Sequence, residues 1–427
     1  MLKSNLAVII LAAGKSTRMK SAVPKVLHPI CGRPMLDYVL DLVKGLGASK
    51  IITVLGHQHK EVAQLISPGI KVVIQKQLLG TADAVKQASR LLKNFRGTVL
   101  VLYADNPLLK KETINNLLKH HRENNLDATL LTSVLDNPTG YGRILRDKYY
   151  SICGIAEEKD ADGFQKDIKE INTGIACFDS AKLFNALKYV RPNNRKNEYY
   201  LTDTIGIVYK NGGLIEGVTL KDVSEAHGIN SRIDLARANK IMQQRINEEF
   251  MSKGVTIVDP GSTFIGAGAK IGTDTTIYPF TVIENNVKIG KRCLIGPFAH
   301  LRESTVIKDG VLVGNFLEIV RSRINPKTII KHFCYIGDAH IGSRVNIGAG
   351  TVVANFDGRK KHPTIIGNGA FIGSDTVLVA PVEVGKYAIT GAGSAVINNV
   401  AARSTVVGVP ARKLLKNNRI SLASKSK

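Results

Sequence analysis

Phe264-Ile265-Gly266-Ala267-Gly268-Ala269-Lys270-Ile271-Gly272-Thr273-Asp274-Thr275-Thr276-Ile277 opens a run in which every sixth residue is aliphatic. The run continues through Ile283, Ile289, Ile295, Leu301, Ile307, Val313 and Ile319. A period of six matches neither a helical stripe nor simple strand alternation, but it suits a solenoid whose coils each contain three short strands. One aliphatic side chain per strand then points at the axis. Glycine follows many of these positions (Gly266, Gly272, Gly290, Gly296, Gly314) and is expected to serve tight corners, where the backbone must be permissive. The period resumes at Tyr335, Ile341, Ile347 and Val353, and again at Ile366, Ile372, Leu378, Val384, Thr390 and Val396; Asp357 to Thr364 reads as a loop leaving the coil.

This repeat resembles the hexapeptide signature of left-handed parallel β-helices, and the resemblance supplies the handedness. Such coils serve as acyltransferases and as trimerisation stalks. At 427 residues the chain exceeds one ordinary core. Its 44% hydrophobic and 22% charged residues are those of a globular protein, and no run approaches the ~20 apolar residues of a membrane span. Leu6 to Ala13 leads straight into a glycine loop and reads as a buried parallel strand, not a signal sequence. Five scattered cysteines without a CxxC pair imply a reduced, cytoplasmic protein. The net charge of +24 suits phosphate-bearing substrates, because the basic residues are dispersed and not gathered in blocks as for a nucleic-acid partner. A tail over residues 411–427 is basic and is expected to fray.

Residues 1–230 alternate apolar runs with amphipathic stretches, the pattern of a parallel sheet covered by helices. Strands are expected at Leu6 to Leu11, Ile51 to Leu55, Val72 to Ile74, Val99 to Tyr103 and Ala128 to Val134. The first ends in Leu11-Ala12-Ala13-Gly14-Lys15-Ser16-Thr17-Arg18, with Pro24-Lys25 downstream. A loop of this kind presents N–H groups and cations to phosphates at the sheet's C-terminal edge. It lacks Walker spacing and resembles the signature of nucleotidyltransferases acting on sugar phosphates. Gln75 and Gly80-Thr81-Ala82-Asp83-Ala84 resemble that family's base-reading segments, and Tyr103-Ala104-Asp105 ends an apolar strand where a carboxylate can reach magnesium.

With Gly140-Tyr141-Gly142-Arg143, Glu157, Glu170-Ile171-Asn172-Thr173-Gly174, Glu198-Tyr199-Tyr200 and Gly228-Ile229-Asn230 added, the whole chain resembles one family. Its members are bifunctional N-acetylglucosamine-1-phosphate uridylyltransferases and glucosamine-1-phosphate N-acetyltransferases. The resemblance implies an α/β Rossmann-like nucleotidyltransferase domain followed by a left-handed parallel β-helix. In the first domain it implies that Leu11, Ala12, Ala13, Gly14, Lys25, Gln75, Gly80, Thr81, Tyr103, Ala104 and Asp105 hold UTP. It further implies that Gly140, Glu157 and Asn172 hold the sugar, that Asp105 and Asn230 hold Mg2+, and that Lys25 and Arg18 assist the transfer. Ser16 and Ala104 stand where the family usually has glycine.

In the β-helix over residues 254–410 the resemblance implies His332 as the catalytic base and Arg302, Tyr335, Asn346 and Lys361 as holders of the amino-sugar phosphate. Ala349, Asn355, Phe356, Ser374 and Ala392 are implied to line the acetyl-CoA groove. Taking Tyr335 as inward, alternation turns Phe333 inward and sends His332 and Cys334 outward. Val320 replaces a phosphate-binding lysine of the family, with Arg321 expected to face the other way, and Val409 stands where an arginine is more usual. Residues 231–253 carry Leu235, Ala238, Met242, Ile246 and Phe250 at helical spacing and read as a linker helix. Such coils associate by threes, so a homotrimer with acetyl-CoA, UTP and sugar phosphates as small-molecule partners is expected. The rival reading is a monofunctional sugar-1-phosphate nucleotidyltransferase whose coil is a trimerising or regulatory stalk.

Overall fold

A computed structural model describes residues 5–14 and 17–414. Ser16 and the tail beyond Leu414 lie outside the described residues. The chain forms two compact units, one of Met1–Ile30 with Pro34–Asn239, the other of Cys31–Arg33 with Lys240–Lys427. The helix Arg232–Ser252 runs through the boundary.

The first unit is built on a sheet whose strands lie in the order Ile215–Thr219, Ala128–Val134, Glu170–Asp179, Thr98–Tyr103, Leu6–Ala12, Lys50–Leu55, Lys71–Ile74. Glu170–Asp179 alone in this row runs antiparallel to its neighbours. Leu6, Ala7, Val8, Ile9 and Ile10 are fully buried, as a strand covered by helices on both faces must be. From the central strand Leu6–Ala12 the chain goes first to one side (Lys50–Leu55) and then to the other (Thr98–Tyr103). At such a switch the loops diverge and leave a crevice beyond the strand ends. Leu11 pairs with Tyr103 and the Ala104 N–H donates to the Leu11 carbonyl at 3.0 Å, so the glycine loop and the Asp105 turn emerge side by side.

The second unit is a left-handed parallel β-helix of three sheets, with ten, eight and seven strands. Successive coils stack strand on strand in parallel register, as Ile295 on Ile277 and Leu301 on Ile283, until the last strand, Arg412–Lys413, which folds back antiparallel on Thr405–Val407. Ile277, Ile295, Leu301, Val313 and Ile319 have no exposed surface, which places the hexad at the axis.

The phase expected after Ile319 needs correcting. Ile324, Ile330, Ile336 and Ile341 are the buried positions that follow, so the period does not lapse there; it shortens by one residue between Ile319 and Ile324 and between Ile336 and Ile341. Tyr335 is therefore only half-buried, Phe333 is 56% exposed and Cys334 is buried; His332 is exposed, as expected.

The glycines also serve a purpose other than torsion. Corners with positive φ are occupied by Asp274, Phe280, Asn286, Arg292 and Phe298, while among the five glycines named above only Gly296 has positive φ. A Cβ on Gly272 would lie 2.7 Å from the Gly290 carbonyl, and one on Gly314 would strike the Lys331 carbonyl. It is the close approach of the next coil that requires glycine there. The corner phenylalanines stack on one another, Phe280 on Phe298 at 5.0 Å and Phe298 on Phe316 at 4.9 Å between ring centroids.

Candidate functional site

In the first unit a cleft of about 540 Å³ opens at the switch point, walled by Leu11, Ala12, Ala13, Gly14 and Lys25, by Gln75, Gly80 and Thr81, and by Tyr103 and Asp105. Thr17, Val26, Leu78, Ala84 and Glu198 complete the wall. Thr17, Ala84 and Glu198 lie inside motifs quoted above, whereas Val26 and Leu78 look like ordinary core residues in the sequence. Ala104, Gly140, Glu157, Asn172 and Asn230 do not line this cleft. Ala104 is fully buried, with its N–H held by the Leu11 carbonyl.

The Lys25 ammonium forms an ion pair with Asp105 and donates to Asn230 Oδ1 at 3.1 Å. Arg18 Nη2 donates to the same amide oxygen at 2.8 Å. Two cations and two oxygen ligands thus converge from four separate segments. Among the described residues no group of three or more His, Cys, Asp and Glu side chains could cage a metal. A hard cation that takes one or two protein oxygens and completes its shell with phosphates and water still fits Asp105 and Asn230.

Gln75 is buried and spends its amide N–H groups on the Gly80 carbonyl at 3.0 Å and on Asp83 at 2.7 Å. This fixes the orientation of its amide. Gly80 has φ +114°, and a Cβ there would lie 2.5 Å from the Tyr199 carbonyl oxygen, so the loop can close over this strand end only with glycine.

Beyond Tyr103, Glu157 accepts a hydrogen bond from Thr202 Oγ1 at 2.9 Å, and Asn172 accepts from the Gly174 N–H at 3.0 Å beside a bulge in its strand. Gly140 has φ +91° and open space where a side chain would be, with its N–H donating to Glu158 at 3.0 Å. Burial raises the Glu157 carboxyl above its usual range. Burial, then the charges of Glu157 and Asp160, push Asp203 up to about 6. A carboxyl raised on folding stabilises the fold fully below its unfolded value and loses that contribution as pH rises through about 6. Asp203→Asn is therefore expected to raise the melting temperature at pH 7.5 and to leave it nearly unchanged at pH 4, by about 1 kcal/mol for so solvent-screened a group. Melting curves of both proteins across that range check it.

In the second unit His332 ends the strand Ile329–His332, and Tyr335 begins the strand Tyr335–Gly337 after a two-residue corner. On one side of this corner Asn315 pairs with His332. Extending the registers Ile330 to Ile347, Ile347 to Ile372 and Ile372 to Thr390 by two residues sets Ala349, Ser374 and Ala392 on successive coils behind His332. Ser374 and Ala392 are exposed and Ala349 is half-exposed, so this column is a shallow track of small side chains.

On the other side lies a charged cluster. Arg321 makes a bidentate pair with Asp338 at 2.7 and 2.8 Å, and Asn355 donates to the same carboxylate. Lys361, bridged to Phe356 at the base of the departing loop, contributes its charge to Asp338. Arg302 donates to Glu318 at 2.8 Å, and Glu318 pairs with Tyr335 in the next coil.

Two expectations change here. Arg321 does not face away: the strand stops at Val320 and Arg321 takes φ +46° at the corner, where alternation no longer applies. Asn355, 5% exposed, belongs by its hydrogen bond to the charged cluster. Asn346 pairs with Ile329 and Phe371, three residues along the strand from the level of His332, so one chain does not bring it to the cluster. Phe356 and Val409 are exposed, at 58% and 77%. Cys334 donates to the His332 carbonyl at 2.7 Å, and burial pushes its thiol up to about 11.

All five cysteines are free, and no helix among the described residues is long and apolar enough to cross a membrane. Residues 8–163 match the family described as MobA-like NTP transferase domain. The chain is 43% identical to the "Bifunctional protein GlmU" of Geobacillus sp. (strain WCH70), covering 97% of this chain and 98% of that one. It is 45% identical to the protein of the same name from Pelotomaculum thermopropionicum over 89% of this chain and 90% of the relative. The Thermosipho africanus protein of that name is 43% identical over 96% of both.

Proposed function

This chain belongs to the family of the bifunctional protein GlmU, and from that premise we propose that it makes UDP-N-acetylglucosamine in two steps. The coil transfers acetyl from acetyl-CoA to glucosamine 1-phosphate. The N-terminal unit then transfers uridylyl from UTP to N-acetylglucosamine 1-phosphate and releases pyrophosphate. One observation carries the reading: a single likeness spans both units nearly end to end, and each unit has its own chemistry-bearing constellation. The monofunctional reading, with the coil as a stalk, is not favoured.

For acetyl transfer, the amino group attacks the thioester carbonyl, the C–S bond breaks, and His332 accepts the amine's proton and can return it to the leaving thiolate. An imidazole has one nitrogen that can accept a proton and return it, which is what that exchange needs. The small-residue track of Ala349, Ser374 and Ala392 leaves room for the pantetheine arm, with the exposed Phe356 as a further contact, while Asn355 braces Asp338 in the charged cluster. Arg302, Tyr335, Asn346 and Lys361 serve the acceptor, Asn346 from a neighbouring subunit in a homotrimer. Cys334, protonated and turned into the coil, is no nucleophile.

For uridylyl transfer, a phosphate oxygen of the sugar attacks the α-phosphorus of UTP in line and the bond to pyrophosphate breaks. The cleft backbone from Leu11 to Gly14 takes the phosphates, while Gln75, Gly80 and Thr81 take the base. Gly140, Glu157 and Asn172 hold the sugar beside Tyr103. Lys25 and Arg18 offset the charge gathering on the phosphates. When bound by Asp105 and Asn230, Mg2+ supplies further charge neutralisation at those oxygens. The enzyme works in the cytoplasm, where its free thiols stay reduced.

The test supplies glucosamine 1-phosphate, acetyl-CoA, UTP and Mg2+ to the pure protein and follows free thiol and pyrophosphate. Both products are expected. Pyrophosphate formed only from the ready-acetylated sugar, with no thiol, would leave the coil as a stalk.

A further inference from the structure

At the level of the coil where Arg302, Val320 and Gly337 stack, position 320 offers no charge, because Val320 is buried at 3% exposure. One residue further on, the column Glu303, Arg321, Asp338 does offer one. We propose that Arg321 is the cation that grips the phosphate of the amino-sugar acceptor, so that the acceptor site is completed from position 321 and not from 320. This rests on the reading of the coil as a glucosamine-1-phosphate acetyltransferase.

Three observations carry it. Arg321 spends two of its five N–H donors on Asp338 and also bonds the Tyr335 side chain, which fixes the guanidinium plane and still leaves donor capacity for an anion. Its side chain is 35% exposed, so a solute can reach it, and a pair that wet is a weak strut on its own account. Negative charge is also unevenly shared. Glu318 and Glu284 both meet Arg302, whereas Arg321 and Lys361 have the single carboxylate of Asp338 between them, and Asn355 draws on it as well. A phosphate monoester arriving beside Asp338 would meet two cations that share one carboxylate. Asp338 is then a positioning residue, holding the fork that the ligand completes.

The experiment compares wild type, Arg321→Gln and Arg321→Lys in acetyl transfer at varied glucosamine 1-phosphate, with inorganic phosphate as competing inhibitor. Losing one charge-assisted contact is expected to raise KM for the acceptor about tenfold or more in Arg321→Gln. The inhibition constant of inorganic phosphate should rise in parallel, while kcat, KM for acetyl-CoA, melting temperature and uridylyl transfer stay near wild type. Arg321→Lys, which keeps the charge and loses the fork, should fall between. An unchanged acceptor KM, or parallel losses in both KM values and in melting temperature, overturns the assignment and leaves Arg321 as a scaffold for Asp338. A wild-type protein that transfers no acetyl group sinks the acetyltransferase reading and this site with it.

Discussion

His332→Ala is expected to lower kcat for acetyl transfer by about 10²- to 10⁴-fold, the contribution of a positioned general base, and to leave uridylyl transfer to N-acetylglucosamine 1-phosphate intact. The His332 imidazole is exposed at this corner, where an incoming amine can reach it. The Cys334 thiol, turned inward and raised to about 11 by burial, stays protonated at neutral pH and cannot replace it. Because His332 is exposed, its removal should change stability by no more than about 0.5 kcal/mol. A lost rate in a protein that melts normally is thus a loss of chemistry. Thiol release and pyrophosphate release measured on one preparation check it. Retained thiol release in the variant would move the base elsewhere.

Lys25→Ala should do the reverse, lowering uridylyl transfer by about 10²- to 10³-fold while acetyl transfer proceeds at the wild-type rate. Charge on the phosphates grows as pyrophosphate departs, and a preorganised cation is worth most at that moment. Lys25 is preorganised: its side chain is 13% exposed and its ammonium is held by Asp105 and Asn230. Removal also leaves the Asp105 carboxylate, 18% exposed, without its ion-pair partner, so stability should fall as well, by about 1–3 kcal/mol. Acetyl transfer serves as the internal control for folding of the second unit. A variant that keeps its uridylyl rate would reduce Lys25 to a structural counter-ion.

The two halves were legible to different depths. In the coil, every inward position must be aliphatic, so the period of six stood out and the architecture followed. Phase was harder, because counting back by six from Ile341 lands on Tyr335, while the true inward residue, Ile336, lies across a shortened rung. That slip reversed Phe333 and Cys334. Arg321 was misjudged for a related reason: strand alternation was extended one residue past the end of the strand, into a corner with positive φ. The corner glycines were read as torsional relief, when the constraint at Gly272 and Gly314 comes from a coil far away in sequence. In the cleft, residues in contiguous motifs such as Gly14, Gly80 and Asp105 fell into place along its wall. Val26 and Leu78 escaped notice because an apolar side chain facing a ligand reads like one facing a core.

The coil is stacked like a column of coins, each touching only the one above and the one below, and the track behind His332 is laid across four of them. Any loosening that starts at the C-terminal end therefore travels along the track in a set order. Ala392 is reached first, Ser374 next and Ala349 after it, before the coil that carries His332. Grip on the far end of a long acyl carrier would be surrendered before the base itself, which makes carrier affinity the earliest casualty of heat or truncation.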